Sequence, residues 1–241
     1  MDTWVKFVIL AVAAYLLGSV PLSYLAARSR GVDLRRQGTQ QVGGGNLWRT
    51  TSRKLGLFVG IFDFCKGIIM VAAARIVGLS PGLQLLVGLA AIIGHDWPVF
   101  LRFHGGRGIA TSLGIIIILP IINIGNDNTY QVSNWPLVAF LAVAVAGVVI
   151  ARRTPVPILI GLILMPIISA LIKAQPLSLT LGYAALVVII IVKRLIAQPS
   201  AEKITTGMGR VLLNRLLFDR DIRDRAAWVQ RKQSPKKENR A

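Results

Sequence analysis

The sequence has few of the residues on which disulfide cross-linking, metal binding and covalent catalysis depend. It contains one cysteine, two histidines and ten acidic residues in a chain of 241 residues. The single cysteine, Cys65, cannot form an internal disulfide, which excludes a disulfide scaffold. The sequence has no metal-ligand cluster, no Ser/His/Asp arrangement and no Walker loop, so it gives no support to a covalent nucleophile activated by a base. We expect neither a bound metal nor a cofactor.

Charged residues are also scarce, at 16% of the chain, whereas 54% of the residues are hydrophobic and the mean hydropathy is +0.63. Soluble domains contain about 25% charged and about 45–50% apolar residues. This excess excludes a disordered chain and an ordinary soluble enzyme, and it indicates a membrane protein. The formal net charge of +18 is typical of a protein that binds nucleic acid or an anionic membrane surface. The positions of the charges decide between these two partners.

Apolar runs alternate with short polar loops along the chain. About 20 helical residues cross the hydrocarbon core of a membrane. Several of the runs are shorter, which is typical of tilted helices that pack within a bundle. The seven runs are 4–27, 55–77, 82–94 continued by 97–100, 109–125, 135–151, 155–172 and 177–192.

The basic residues lie on alternate loops. Seven Lys or Arg residues lie between the first two runs, two between the third and fourth, two between the fifth and sixth and thirteen after the seventh, which is 24 of 28. The positive-inside rule assigns these loops to the cytoplasm. The sequence therefore predicts an all-α integral membrane protein, a polytopic bundle of about seven transmembrane helices with its N-terminus out and C-terminus in. The predicted partner is the lipid bilayer of the cell membrane, and no nucleic acid is expected.

The composition changes after the seventh run. We divide the chain into a membrane domain, residues 1–194, and a basic cytoplasmic tail, residues 195–241. Within the tail, Val211, Phe218, Ile222 and Val229 fall on one helical face. This pattern predicts an amphipathic helix at the membrane interface over residues 208–230.

Two of the basic loops are rich in glycine. The first, residues 31–54, contains Gly43-Gly44-Gly45, whose backbone N–H groups could bind an anion; a flexible loop that only sets the topology is an equally good interpretation. The second, residues 94–108, places Gly105-Gly106-Arg107-Gly108 before the next helix. Because N–H groups and the helix dipole favour phosphate at a helix N-terminus, this loop predicts a phosphate site.

Ionisable residues inside an apolar run are functional candidates. Asp63 and Lys66 lie three residues apart, on one face of the predicted helix, and a purely structural ion pair is the alternative interpretation. The second loop adds His95 and His104. A lone histidine is more often a hydrogen-bonded structural residue than a catalyst, so these two residues prove little by themselves.

Several stretches of the chain together resemble one known family. They are residues 15–21, 24–28, 31–35, Asn46 with Arg49, 63–67, 94–100 and 105–112. On these residues the chain is identified as a member of the PlsY family, the bacterial membrane glycerol-3-phosphate acyltransferases. The resemblance implies seven membrane spans and acyl transfer from acyl-phosphate to the 1-hydroxyl of sn-glycerol 3-phosphate, which gives lysophosphatidic acid and inorganic phosphate.

The first two motifs of the family are altered in this chain. In the first motif, Gln40 replaces a glycine and Gln41 replaces an asparagine. In the second motif, Asp96 stands where asparagine is usual and Arg107 stands in place of lysine.

The third motif is the least well kept. Lys193-Arg194 follows the seventh run as the motif should, but residues 209–217 match its second half, with Asp221 at the glutamate position. An insertion near residues 198–207 is one explanation and loss of activity is another. The alternative to an enzyme is therefore a diverged, non-catalytic member that binds a phosphate ester or a lipid in the membrane.

The resemblance implies a role for each candidate residue, on a site that faces the cytoplasm. His95 would orient or deprotonate the hydroxyl, unless the phosphate of the substrate acts as the base. Arginines and backbone N–H groups would hold the phosphates. The catalytic candidates are His95, Thr39 and Asn46. The phosphate-binding candidates are Arg49, Lys66, Gly105, Gly106, Arg107, Gly108, Gly43 and Gly44. The supporting candidates are Asp63, Asp96, Arg210 and Asp221.

Overall fold

A computed structural model describes residues 1–124, 132–150, 155–172, 175–196, 207–224 and 228. These residues form ten α-helices and one short 3₁₀ helix, Val99–Leu101, and no strand occurs among them. The helices are α1 (Thr3–Ser19), α2 (Leu22–Arg28), α3 (Gly44–Thr50), α4 (Arg53–Ile76), α5 (Pro81–Asp96), α6 (Ile109–Ile122), α7 (Trp135–Val149), α8 (Pro155–Leu171), α9 (Leu177–Leu195) and α10 (Met208–Phe218).

The long apolar helices coincide with the seven predicted runs. Four stretches are long and apolar enough to cross a membrane: α1 with α2, α4, α5 with the 3₁₀ helix, and α9. The three shorter apolar helices are α6, α7 and α8. The predicted all-helical membrane class is confirmed, whereas the number of crossing helices and their orientation stay predictions.

Helix α5 lies at the centre of the bundle and packs against α1, α4, α6 and α9. It approaches α1 closely at Gly18, where an added Cβ atom would collide with the backbone carbonyl of Ala91. Small residues of this kind let helix backbones come together in a membrane protein. The largest core cluster surrounds α5 and includes Leu85, Ile92, Ile115, Leu119, Leu162 and Tyr183.

The outer faces of the bundle are apolar as well. On α1, Val8, Ile9 and Val12 are each more than half exposed, and on α7 Val145 is 59% exposed. Contiguous exposed apolar faces of this extent are unusual on a soluble protein. They fit helices whose outer surface contacts hydrocarbon.

The first long stretch is interrupted between α1 and α2. Pro21 has no backbone N–H and cannot continue the hydrogen-bond ladder of α1, which ends at Ser19. The carbonyl oxygens of Gly18 and Val20 accept hydrogen bonds from the Nζ atom of Lys66 instead, at 3.1 and 2.8 Å. A buried lysine of α4 thus satisfies the open end of α1.

The basic tail folds back onto the bundle through α10, which packs against α8 and α9. Arg194 donates to the carbonyl of Leu216 at 2.7 Å, and Arg215 donates to that of Leu195 at 2.8 Å. The predicted amphipathic helix over residues 208–230 is helical from Met208 to Phe218, and Val211 on its apolar face is buried. Val229, which is predicted on the same face, lies outside the described residues. The division of the chain at residue 194 stays a prediction.

Candidate active site

A cavity of about 650 Å³ lies between the N-terminal ends of α3 and α6 and the middle of α4. One part of its wall is polar and cationic, and the other part is apolar. The polar side chains on the wall include those of Thr39, Arg49, His95, Arg107 and Arg194. The apolar side chains include those of Leu57, Ile61, Phe64, Leu113 and Ile158.

Three ionisable side chains meet beside this cavity, where α4 packs against α5. The Oδ1 atom of Asp63 lies 3.0 Å from the Nζ atom of Lys66 and 3.5 Å from the Nδ1 atom of His95. Asp63 and His95 line the cavity, but Lys66 does not, because its ammonium group is buried against Asp63 and the end of α1. The lysine therefore holds Asp63, and Asp63 in turn orients the imidazole.

The glycine-rich turn of the second loop packs directly on His95. The N–H group of Gly106 donates to the backbone carbonyl of His95 at 3.0 Å. A Cβ atom on Gly106 would collide with the Nε2 atom of the same histidine, so only glycine allows this approach. Gly108 has a φ of +64° and precedes the first residue of α6. The turn thus places Arg107 and the start of α6 on the cavity wall beside His95.

Asn46 organises the first loop from a buried position on α3. Its Oδ1 atom accepts a hydrogen bond from the backbone N–H of Thr39 at 3.0 Å. Its Nδ2 atom lies within 3.2 Å of three backbone carbonyl oxygens, those of Leu34, Gln37 and Gln41. These contacts fix the loop around the side chain, and they bring Thr39 and the glycines Gly43 and Gly44 to the cavity wall.

Arg107 carries an ion pair with a residue of the tail. Its Nη1 atom pairs with the Oδ2 atom of Asp219, and its Nη2 atom donates to the backbone carbonyl of the same residue at 2.7 Å. Asp219 follows α10 with a φ of +60° and lines the cavity. The tail therefore contributes an acidic side chain to the cationic part of the wall.

A second cavity, of about 240 Å³, lies on the far side of the loop around Gln40 and is lined by Arg35, Gly105 and Lys193, among others. Arg35 is held by Asp33, whose Oδ2 atom lies 2.9 Å from its Nη2 atom. The hydrogen bond from Arg35 holds the pKa of Asp33 below its usual range. Gly105, a predicted phosphate-binding residue, lines this smaller cavity and does not line the larger one.

A protein-family model described as glycerol-3-phosphate acyltransferase matches residues 8–199 of this chain. This chain belongs to the glycerol-3-phosphate acyltransferase family. The predicted resemblance is thereby confirmed.

Other members of the acyltransferase family match the chain over almost its whole length. Glycerol-3-phosphate acyltransferase 5 of Dehalococcoides mccartyi (strain ATCC BAA-2266) is 35% identical over 239 residues, which is 97% of each chain. The crystal structure of PlsY in its glycerol 3-phosphate form superposes with a TM-score of 0.67 at 26% identity and covers 90% of this chain and 94% of that one. The lysophosphatidic acid form of PlsY gives a TM-score of 0.65 at 25% identity, with the same coverage.

The acyltransferase fold brings most of the predicted site residues to the larger cavity. The residues on its wall are Thr39, Gly43, Gly44, Asn46, Arg49, Asp63, His95, Gly106, Arg107 and Gly108. Five predicted residues do not line it: Lys66, Asp96, Gly105, Arg210 and Asp221. Arg210 is exposed on α10, whereas Asp221 is buried and pairs with Arg215 at 2.5 Å. Asp221 therefore fixes the end of α10 rather than reaching the cavity.

Asp96 lies behind the start of α6, with a fully buried side chain. Its carboxylate lies next to Gly108, and among the described residues neither of its oxygens has a hydrogen-bond partner. Its backbone carbonyl accepts a hydrogen bond from Lys193. Asp96 therefore lies behind the cavity wall, to which the neighbouring Gly108 belongs.

The cavity wall includes two charged residues that are not among the predicted site residues, Arg194 and Asp219. The sequence marks Arg194 only as part of the third motif. Asp219 sits in a basic tail just before the buried Asp221, and no motif distinguishes it from its neighbours. Asp219 reaches the cavity because α10 packs against α8 and α9.

Proposed function

We propose that this chain transfers an acyl group from an acyl-phosphate to the 1-hydroxyl of sn-glycerol 3-phosphate, and that the products are lysophosphatidic acid and inorganic phosphate. The observation that carries the proposal is a single cavity with arginines and helix N-termini on one side and apolar side chains on the other. Each substrate carries a phosphate, and one also carries a hydrocarbon chain. The two walls therefore match the two kinds of group that must meet.

The cationic wall holds the phosphates. Arg107 lies at the N-terminus of α6, where the first N–H groups of the helix have no intrahelical acceptor. Arg49 and the backbone of Gly43 and Gly44 lie on the same wall. An arginine can bind a phosphate through two parallel hydrogen bonds, and N–H groups aimed at the reacting carbonyl stabilise the developing oxyanion.

The reaction needs no covalent enzyme intermediate, because the donor is already an activated anhydride. The oxygen of the 1-hydroxyl forms a bond with the acyl carbonyl carbon. The bond between that carbon and the phosphate oxygen breaks, and its electron pair leaves with the phosphate. The proton of the hydroxyl ends on the departing phosphate, which balances the reaction.

His95 is the residue of the wall suited to relay that proton. Its Nδ1 atom faces Asp63, which favours the tautomer with a proton on Nδ1 and leaves Nε2 as the acceptor. The Nε2 atom faces the turn at Gly106, at the cavity. His95 thus takes the proton of the hydroxyl and returns it to the phosphate.

The apolar wall, formed by Leu57, Ile61, Phe64, Leu113 and Ile158, takes the acyl chain. The residues of this wall come from α4, α6 and α8, which belong to the membrane bundle. The acyl chain therefore enters the cavity from the lipid. We place the protein in the cell membrane, with seven spans, its N-terminus outside, and the cavity facing the cytoplasm. The basic loops, which carry most of the lysines and arginines, support this orientation.

A purified, full-length chain in lipid nanodiscs tests the proposal. Palmitoyl-phosphate and glycerol 3-phosphate are supplied, and lysophosphatidic acid and inorganic phosphate are measured; palmitoyl-CoA replaces the acyl-phosphate in a parallel reaction. We expect both products in equal amounts with acyl-phosphate and none with palmitoyl-CoA. A folded protein that forms no lysophosphatidic acid would overturn the proposal.

A second candidate function is binding without turnover. The observation that favours it is the altered first motif, in which Gln40 stands at a glycine position with a φ of +61°. A left-handed conformation is unfavourable for a residue with a long side chain. A shift of the melting temperature on adding glycerol 3-phosphate, with no release of phosphate, would support this candidate.

A further inference from the structure

Asp219 brings a carboxylate to the phosphate end of the larger cavity from the opposite end of the chain. Its Oδ2 atom and its backbone carbonyl engage both terminal nitrogens of Arg107, which lies 112 residues earlier. The Asp219 side chain is 11% exposed and that of Arg107 is 23% exposed. The carboxylate therefore lies inside the site rather than on its rim.

The tail holds Asp219 firmly in this place. Its N–H group donates to the carbonyl of Arg215 at 3.0 Å and closes α10. Arg215 in turn pairs with Asp221 at 2.5 Å and donates to Leu195 of α9 at 2.8 Å. Asp219 is thus presented by a small network that is anchored on the bundle, and its left-handed φ of +60° is one that aspartate tolerates better than most residues.

A carboxylate and a phosphate compete for the same donors on a guanidinium group. Arginine binds either anion through paired N–H groups, and Asp219 already occupies both terminal nitrogens. A phosphate monoester carries about two negative charges and three strong acceptor oxygens. It therefore binds the arginine more strongly than the carboxylate does. The carboxylate acts as an internal competitor in this arrangement.

We propose that Asp219 sets the affinity of the cavity for substrate phosphate, because its carboxylate occupies the anion-binding side of Arg107 and the phosphate displaces it. This inference rests on the proposed function, in which Arg107 binds phosphate. The ligand is a phosphate group, carried either by glycerol 3-phosphate or by the acyl-phosphate. A purely positioning role for Asp219 would have the opposite sign, since loss of the carboxylate would then weaken substrate binding.

The test compares Asp219→Asn with the unchanged chain in nanodiscs. The asparagine keeps the shape of the side chain and the backbone contact, and it removes the charge. Asp219→Gly is the second variant, because glycine accepts the left-handed φ without strain. Asp224→Asn is the matched control: it makes the same charge change in the same tail at an exposed position that does not line the cavity.

The readouts are KM for glycerol 3-phosphate at saturating palmitoyl-phosphate, KM for palmitoyl-phosphate at saturating glycerol 3-phosphate, and binding of each substrate by titration calorimetry. We expect Asp219→Asn and Asp219→Gly to lower KM and Kd about threefold to fivefold, the scale of a partly exposed ion pair. The substrate that responds is the one whose phosphate contacts Arg107. Asp224→Asn should change neither value.

Unchanged or weaker binding of both substrates by the folded Asp219 variants would overturn the inference. If the proposed function is wrong, the unchanged chain forms no lysophosphatidic acid. Calorimetric binding of each substrate to Asp219→Asn and to the unchanged chain then still decides whether the carboxylate competes with phosphate. Melting temperatures of the variants, measured without substrate, show that a change in affinity does not come from loss of the fold.

Discussion

The Nδ1 atom of His95 lies 3.5 Å from the Oδ1 atom of Asp63, across the contact between α5 and α4. Two residues that are 32 positions apart in the sequence thus form one unit on the wall of the cavity. Lys66 neutralises Asp63 from the other side, at 3.0 Å. The unit presents an oriented imidazole on the cavity wall, next to the glycine-rich turn that carries Arg107.

His95→Ala should abolish most of the acyl transfer. Loss of a general acid–base group lowers turnover about 10²- to 10⁴-fold. The fold should survive, because the backbone carbonyl at position 95 still accepts the hydrogen bond from Gly106. The measurement is the initial rate of lysophosphatidic acid formation. His104→Ala is the control, since that histidine is exposed and bonds to the nearby carbonyl of Arg102. A rate for His95→Ala equal to that of the control would contradict the role of the imidazole.

Lys66→Met should destabilise the protein rather than weaken phosphate binding selectively. The substitution leaves the buried Asp63 carboxylate without its ammonium partner and leaves two carbonyl groups of the first stretch without a donor. Breaking a buried ion pair costs about 3–5 kcal/mol. The measurement is the melting temperature in nanodiscs, with Lys54→Met, at an exposed position of α4, as the control. Equal melting temperatures for the two variants would show that the pair has no structural role.

Asn46→Ala should loosen the first loop. Three carbonyls and the N–H group of Thr39 lose their partner, and each unsatisfied buried group costs about 1–3 kcal/mol. We expect a lower melting temperature together with a higher KM for glycerol 3-phosphate. Gln37→Ala is the control, because its exposed side chain is not part of these contacts. If Asn46→Ala kept both values and lost only turnover, Asn46 would be a catalytic residue instead.

Ile158→Trp should shorten the acyl chains that the protein accepts. Ile158 lies on the apolar wall of the cavity, whereas Ile160, on the same helix, is exposed and does not line it. A larger side chain at position 158 fills space that a long acyl chain requires, so palmitoyl-phosphate should lose more activity than decanoyl-phosphate. The ratio of kcat/KM for the two donors is the measurement. The same ratio in Ile158→Trp and Ile160→Trp would place the acyl chain elsewhere.

Much of this structure follows from local properties of the sequence. Hydropathy decides where the apolar helices lie, because hydrocarbon tolerates no unpaired backbone groups, and the seven apolar stretches therefore coincide with the predicted runs. The glycine-rich turn was predictable for a similar reason. Gly106 and Gly108 allow a close approach and a backbone conformation that other residues do not, so the pattern around Arg107 predicts a tight turn before α6.

Other features depend on contacts between distant parts of the chain. Lys66 was expected to bind phosphate, but the break at Pro21 leaves carbonyl groups that its ammonium satisfies, and a single-helix view of Asp63 and Lys66 does not contain that end of α1. Asp219 reaches Arg107 only because α10 docks on α8 and α9. No local pattern in the tail encodes that docking.

The most direct test of the account is the effect of Arg107→Ala on the rate at which lysophosphatidic acid and inorganic phosphate form from palmitoyl-phosphate and glycerol 3-phosphate. Arg36→Ala, at an exposed position of the first loop, is the matched control. Removal of a donor to the developing charge costs about 10²- to 10³-fold in turnover. We predict a loss of that size for Arg107→Ala and full activity for Arg36→Ala. Equal rates of product formation in the two variants would contradict the account.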